Sequence, residues 1–312
     1  MRLKMLFSVI LTLVIAGGIG LYMVHNPELV ALFYGISPWH AIFLVLMCIL
    51  TFGTSGLYLK VFTGKFGMNL RPREWFGLTV VTTMGNYLTP FSGGLIARAS
   101  YLKHRHAFPY SRFLAMLAAN YLIAFALISI TGIVTLLTLP EKQNDAWLVL
   151  MFFFATLVTV WLVSIFPSIT VGSKNRLVLH AQRAAEGLDI IRGDRVLLGK
   201  LIVLTLMNIL IGALLYFVAF LSMGSMLPFR MALLIYLLTA FTILINITPG
   251  NFGIQEAGTS LAAAILGAGV EMGLMASLII RAATILSAFS LGPVFSYLLS
   301  KELVAKQDCG AD

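Results

Sequence analysis

The sequence predicts an all-α polytopic membrane protein with about six full spans plus two interrupted helical hairpins. Three observations predict it. Hydrophobic residues make up 60% of the 312 residues and charged residues only 11%, with a mean hydropathy of +0.97. A water-soluble domain carries roughly 25% charged residues. Apolar runs of spanning length recur along the chain, and about 20 such residues cross a bilayer as a helix. Two further apolar runs are each broken by a similar segment that places Asn, Thr-Pro and glycines after helical sequence.

Taken in order, the spans are expected at 5–24, 39–62, 113–139, 147–166, 201–223 and 273–299. The first follows Arg2 and Lys4 and resembles a signal peptide. It lacks a small-residue cleavage site before the polar loop, so it reads as a retained first span. The interrupted runs lie at 75–99 and 231–269. The first break reads Asn86-Tyr-Leu-Thr-Pro90-Phe-Ser-Gly93-Gly94 and continues to Arg98. The second reads Asn246-Ile-Thr-Pro249-Gly250-Asn-Phe-Gly253 and continues to Glu256. Proline removes a backbone donor and glycine loosens a helix, so both runs break there. In lipid such a break survives where protein or a water-filled cavity covers the freed backbone groups.

Basic loops orient the spans. Lys60, Lys65, Arg71 and Arg73 follow the second span, and Lys103, Arg105 and Arg112 follow the first break. Lys174, Arg176, Arg183, Arg192, Arg195 and Lys200 separate the fourth and fifth spans, and Lys301 and Lys306 follow the last. The positive-inside rule puts these loops, and both termini, in the cytoplasm of a cell (inner) membrane protein. The same distribution accounts for the net charge of +9 without nucleic acid. The 75–99 run then has basic loops on both sides. It is too short for two crossings at about 1.5 Å per residue and reads as a re-entrant hairpin. The 231–269 run enters and returns on the opposite side, as a hairpin or as two crossings that would make eight spans in all.

These elements form a single membrane domain over 1–312, with inverted repeat halves at 39–139 and 201–299. A cytoplasmic amphipathic segment is expected at about 172–198, where apolar residues recur at helical spacing opposite charged ones.

Paired broken helices point to a transport site. Asn86 and Asn246 carry polar side chains at the breaks, and Pro90, Gly93, Gly94, Pro249, Gly250 and Gly253 shape the tips. Glycine-rich tips let backbone N–H groups approach a phosphate, and half-helix N-termini add positive dipole. Glu256 and Arg281 are ionisable groups at bilayer depth, natural partners for each other, and Arg98 is a third charged candidate. A plain reading stands beside each: capping for the Asn and Thr residues, a pinning ion pair for Glu256 and Arg281, and an interface residue for Arg98. Lys103-His104-Arg105-His106 reads as a solvated basic cluster. The two cysteines give no disulfide framework, and no metal spacing, nucleophile triad, nucleotide loop or cofactor fingerprint occurs. No catalytic residue, metal ligand or cofactor is expected.

The ordered pair Asn86…Pro90-x-x-Gly93-Gly94…Arg98 and Pro249-Gly-x-x-Gly253-x-x-Glu256, followed by Arg281, resembles the transmembrane region of lysylphosphatidylglycerol synthases. That region also occurs alone in a broad flippase-like family, and the resemblance covers essentially the whole chain. It implies the lipid-moving membrane part, because the short tail to Asp312 leaves no room for the cytoplasmic synthase domain. Unlike some relatives, no acidic residue stands just before Arg98. The expected function is translocation of a phospholipid or polyprenyl-linked lipid between leaflets, with a phosphate headgroup as ligand. A lipid-headgroup transferase, or an accessory subunit partnered with a lipid-modifying enzyme, is the alternative.

Overall fold

A computed structural model describes residues 2–138, 146–165 and 193–308. Among them every regular element is helical: α1 Arg2–His25, α2 Pro27–Tyr34, α3 Pro38–Gly64, α4 Pro72–Leu88, α5 Gly93–His106, α6 Tyr110–Leu137, α7 Ala146–Ile165, α8 Arg195–Ser222, α9 Phe229–Thr239, α10 Ile254–Ile265 and α11 Val270–Asp308. Short 3₁₀ turns at Ala240–Leu244 and Pro249–Asn251 join α9 to α10. The amphipathic segment expected at 172–198 lies almost wholly outside the described residues.

Among the described residues six helices are long and apolar enough to cross a membrane: α1, α3, α6, α7, α8 and α11. They coincide with the six spans read from the sequence, and the protein is an all-α polytopic membrane protein. Only 6% of the α1 window and 11% of the α7 window is buried, against 39–50% for the other four. So α1 and α7 are peripheral, and residues such as Val24, Phe154 and Trp161 turn outward, as lipid-facing side chains do where the solvent is itself apolar.

Both interrupted runs fold as antiparallel helix pairs. In the first, the α4 carboxylate Glu74 meets His106, Thr82 meets Arg98, and Gly85 lies against Gly94. In the second, Thr239 meets Thr259, and Gly258 lies against Thr242. The first pair is longer than the sequence suggests, because Arg73 and Lys103 continue the helices past the apolar run. Pro72 opens α4 and the Arg71 N–H donates to Glu74 at 2.9 Å, so the helix starts before its first apolar residue.

Local backbone explains where each pair turns. Thr89 is extended, and Phe91 and Ser92 take left-handed φ of 54° and 57°. Gly250 and Asn251 do the same at 58° each. Three of the four described non-glycine residues with positive φ, Phe91, Ser92 and Asn251, therefore sit at the two breaks. Such conformations cost energy and persist where surrounding contacts impose them.

Two large apolar cores hold the helices, with a smaller cluster of Phe52, Val80 and Ala288 joining α3, α4 and α11. One gathers Phe153, Phe220, Leu234, Leu237 and Leu266 around α8, α9, α10 and α11. The other gathers Phe62, Leu78, Leu102 and Leu201 around α3, α4, α5 and α8. Close approach rests on small residues, the usual device where lipid removes the hydrophobic drive between helices. Gly56 admits Trp75 between α3 and α4, Gly77 admits Phe295 between α4 and α11, and Gly132 admits Phe153 between α6 and α7.

Asp194 starts α8. Its carboxylate accepts from the Leu197 N–H at 3.0 Å and from Lys65 Nζ at 2.8 Å. The Lys65 hydrogen bond, with the Leu197 N–H, holds this carboxyl below its ordinary value. A depressed carboxyl contributes stability above its unfolded pKa, about 3.9 for Asp, and loses it as pH falls through the folded value. Asp194→Ala is expected to speed amide hydrogen exchange in the first turn of α8 at neutral pH. Acidifying the wild type through the folded value is expected to lower the protection of the same amides relative to their intrinsic exchange rate, and unchanged protection in either case refutes the cap.

Candidate functional site

The two breaks meet. Asn246 Nδ2 donates to Ser92 Oγ at 2.6 Å, and Gly250 leaves the space that the Tyr87 ring fills. The peripheral helix α1 closes over the second tip, where Ser8 Oγ donates to the Ile247 carbonyl at 2.7 Å and Ile15 covers Gly253. Thr248 Oγ1 donates to the Phe252 carbonyl, and Asn251 Nδ2 donates to the Thr242 carbonyl. The Ile247, Phe252 and Thr242 carbonyls at the second break thus each have a side-chain donor, as burial requires.

A cavity of about 380 Å³ opens beside this junction, between the two apolar cores. That is within the range of small-molecule sites, about 300–1,000 Å³. Its apolar wall comes from Leu59, Phe113, Met116, Phe125, Ile128 and Ile209. Its polar wall comes from six helices and the second break: Ser55 and Tyr58 on α3, Thr79, Thr82, Thr83 and Asn86 on α4, Arg98 on α5, Asn120 and Tyr121 on α6, Thr205 and Asn208 on α8, Tyr236 on α9, and Asn246.

Among the described residues Arg98 is the one charged residue lining this cavity. Its Nε donates to Thr82 Oγ1 at 2.8 Å, while Thr82 in turn donates to the Leu78 carbonyl. Among the described residues no carboxylate pairs with the Arg98 guanidinium. Buried guanidinium groups ordinarily have such a partner. Two more polar groups are left over here: the Tyr58 hydroxyl and Asn86 Oδ1 are buried without a hydrogen-bond partner.

Glu256 and Arg281 form a different kind of site. They are 2% and 6% exposed, and Arg281 Nε donates to Glu256 Oε1. Glu256 Oε2 accepts from the Gly253 N–H at 2.7 Å, which caps α10. Arg281 Nη1 donates to the Gly250 carbonyl at 2.9 Å, and Nη2 reaches the Asn251 carbonyl at 3.4 Å. Its guanidinium carbon lies 5.5 Å from the Tyr87 ring centroid and 5.1 Å from that of Phe252. Every strong donor and acceptor of this pair is spent on tying α11 to the second break.

The candidates chosen from sequence therefore separate. Asn86, Arg98 and Asn246 line the cavity. Glu256, Arg281, Gly250 and Gly253 form the pinned second tip. Gly93 and Gly94 let α5 start against α4, Gly94 packing on the Thr82 carbonyl and on Asn86, and Pro90 and Pro249 lie in the breaks themselves.

Sequence reasoning missed Ser55, Tyr58, Asn120 and Asn208, because each interrupts an otherwise ordinary apolar span. Their signal was available: a carboxamide in mid-span is costly in lipid and turns toward protein or a cavity. His106 also differs from the expected solvated cluster. Its Nε2 lies 2.8 Å from Glu74 Oε1, and Tyr101 brings its hydroxyl to 3.1 Å from both Glu74 and Glu302. That network ties the base of the first helix pair to the end of α11. Among the described residues no cluster of three metal-ligating side chains occurs.

No curated protein and no solved structure matches the chain. The family described as the lysylphosphatidylglycerol synthase TM region matches it over residues 7–292. That stretch contains the spans except the first residues of α1 and the end of α11, and it contains both breaks, Arg98, Glu256 and Arg281. With nearly the full length matched, the chain belongs to the lysylphosphatidylglycerol synthase transmembrane-region family, multi-pass membrane proteins related to lipid modification or translocation.

Proposed function

We propose that this protein moves a phosphate-bearing lipid between the leaflets of the inner membrane, with its termini in the cytoplasm. The observation that carries the reading is Arg98, a cation with no carboxylate partner among the described residues, in a polar cavity beside the junction of two broken helices. A lipid phosphate supplies the acceptors that the protein withholds from it.

The two helix pairs act as re-entrant hairpins. At 17 and 14 residues, α4 and α5 rise about 26 and 21 Å, and the shorter α9 and α10 rise about 17 and 18 Å. All fall short of the roughly 30 Å hydrocarbon core. This favours hairpins over two crossings for the second run. Entering from opposite faces, they are the matching parts of inverted halves that rock about the cavity, exposing it to one side and then the other. Lipid tails stay in the bilayer while the headgroup passes through the polar wall.

The transferase alternative needs a free general base. Glu256, the acid singled out in the membrane, is held by Arg281 and the Gly253 N–H. The translocator reading is therefore preferred. Its test is fluorescent-lipid translocation in proteoliposomes, read by quenching the outer leaflet. Wild-type protein is expected to make the inner-leaflet pool accessible. Accessibility equal to protein-free vesicles for every phosphate lipid tried contradicts the proposal.

A further inference from the structure

We infer that the cavity selects a lipid headgroup that carries a net negative phosphate and free hydroxyls but no ammonium group. The inference rests on the translocator reading for how the ligand reaches the cavity, and on the cavity's own chemistry for what the ligand is.

Charge comes first. Among the described residues Arg98 is the one charged residue in the lining, with no carboxylate beside it there. The buried acid Glu256 does not line the cavity and is already neutralised by Arg281. A phosphate balances Arg98. A zwitterionic or aminoacylated headgroup brings an ammonium into the same low-dielectric space, with a like charge facing it and no acid to receive it.

Hydrogen bonding narrows the class further. Tyr58, at 9% exposure, has a hydroxyl without a partner, and Asn86 Oδ1 is a buried acceptor without a donor. Phosphate oxygens satisfy Tyr58 and the free N–H groups of Arg98. They donate nothing in the diester form, so the carboxamide oxygens of the cavity wall take their donors from headgroup hydroxyls. The carboxamide of Asn120 on α6 offers donors and an acceptor to further hydroxyls, and Asn208 on α8, whose Nδ2 donates to Ser55 Oγ at 3.3 Å, offers its carbonyl oxygen. A charged phosphate next to neutral carboxamides and hydroxyls is the chemistry of a polyol phosphate. It is shared by phosphatidylglycerol, by lipid-linked sugars and by soluble glycerol 3-phosphate.

Native mass spectrometry of the purified full chain tests this. The protein is offered phosphatidylglycerol, phosphatidylethanolamine and lysyl-phosphatidylglycerol at equal concentration, with glycerol 3-phosphate as a separate arm. Phosphatidylglycerol is expected to be retained at least tenfold over both ammonium-bearing lipids, and glycerol 3-phosphate not to displace it. Asn86→Asp is expected to shrink that preference at least tenfold by placing an acid near Arg98. Asn120→Asp is the second variant should the first fail to fold. Equal retention of the three lipids, or preference for an ammonium headgroup, overturns the inference, as does displacement by glycerol 3-phosphate at matching concentration. Selective retention without leaflet movement sinks the translocator reading alone. Leaflet movement without headgroup selectivity sinks this inference alone.

Discussion

Glu256→Ala is expected to cost about 3–5 kcal/mol of stability, the usual loss when one partner of a buried ion pair is removed. The variant leaves the Arg281 guanidinium nearly fully buried with only backbone carbonyls and aromatic rings around it. It also frees the Gly253 N–H at the start of α10. Arg281→Ala is expected to be as damaging, because it strands the Glu256 carboxylate and the Gly250 and Asn251 carbonyls together. Removing both partners is expected to cost clearly less than the sum of the single losses, as contacting residues do in a double-mutant cycle. The double variant does not recover fully, since the tip carbonyls still lack donors. Thermal unfolding of the four proteins in detergent measures this. Additive losses, or a single variant as stable as wild type, contradict the pinned-tip description.

Gly94→Ala is expected to be the most damaging single methyl in the first hairpin, with a loss of about 3 kcal/mol or more, at the upper end for overpacking. A Cβ at Gly94 would run into the Thr82 carbonyl and lie 2.8 Å from Asn86 Oδ1. The carbonyl belongs to the α4 backbone and does not swing away, so the two helices have to part. Gly85 faces the same junction, its own Cβ falling 2.9 Å from the Gly94 Cα. Parting them also moves Arg98 off Thr82 and opens the cavity wall. Gly93→Ala is the informative contrast. Its Cβ meets the side chain of Thr89, which can change rotamer, and alanine gains about 1 kcal/mol of helix propensity over glycine. The expected order of thermal stability is wild type, then Gly93→Ala, then Gly94→Ala well below. Equal losses at the two positions contradict the close α4–α5 contact.

Much of the architecture is readable in the chain because the relevant physics is local or compositional. Span length follows from bilayer thickness, and the breaks follow from Thr89-Pro90 and Thr248-Pro249 with their glycines. The Glu256–Arg281 pair is foreseeable because two opposite charges in apolar sequence have few other partners. Which helix faces meet is another matter. Helices that are apolar almost all round carry little amphipathic signal to fix their rotation. Hence Asn120 and Asn208 look like isolated polar residues in sequence, although α6 and α8 turn both into one cavity. The Ser92–Asn246 bond joins residues from breaks far apart in the chain and has no local signature. His106 sits in a basic run that reads as solvated, and only the return of α5 along α4 brings it to Glu74. Charge alone also does not separate Arg98 from Arg281. Their roles diverge because one finds a carboxylate and the other finds a cavity.

That divergence is the centre of the account, and Arg98→Gln tests it most directly. Lipid translocation by the variant and by wild type is measured in the same proteoliposome preparation, with thermal stability recorded in parallel. Among the described residues the Arg98 side chain makes one hydrogen bond, to Thr82, so stability is expected to change by less than about 3 kcal/mol. Translocation of a phosphate lipid is expected to fall at least tenfold. Wild-type translocation by a folded Arg98→Gln protein would contradict the account.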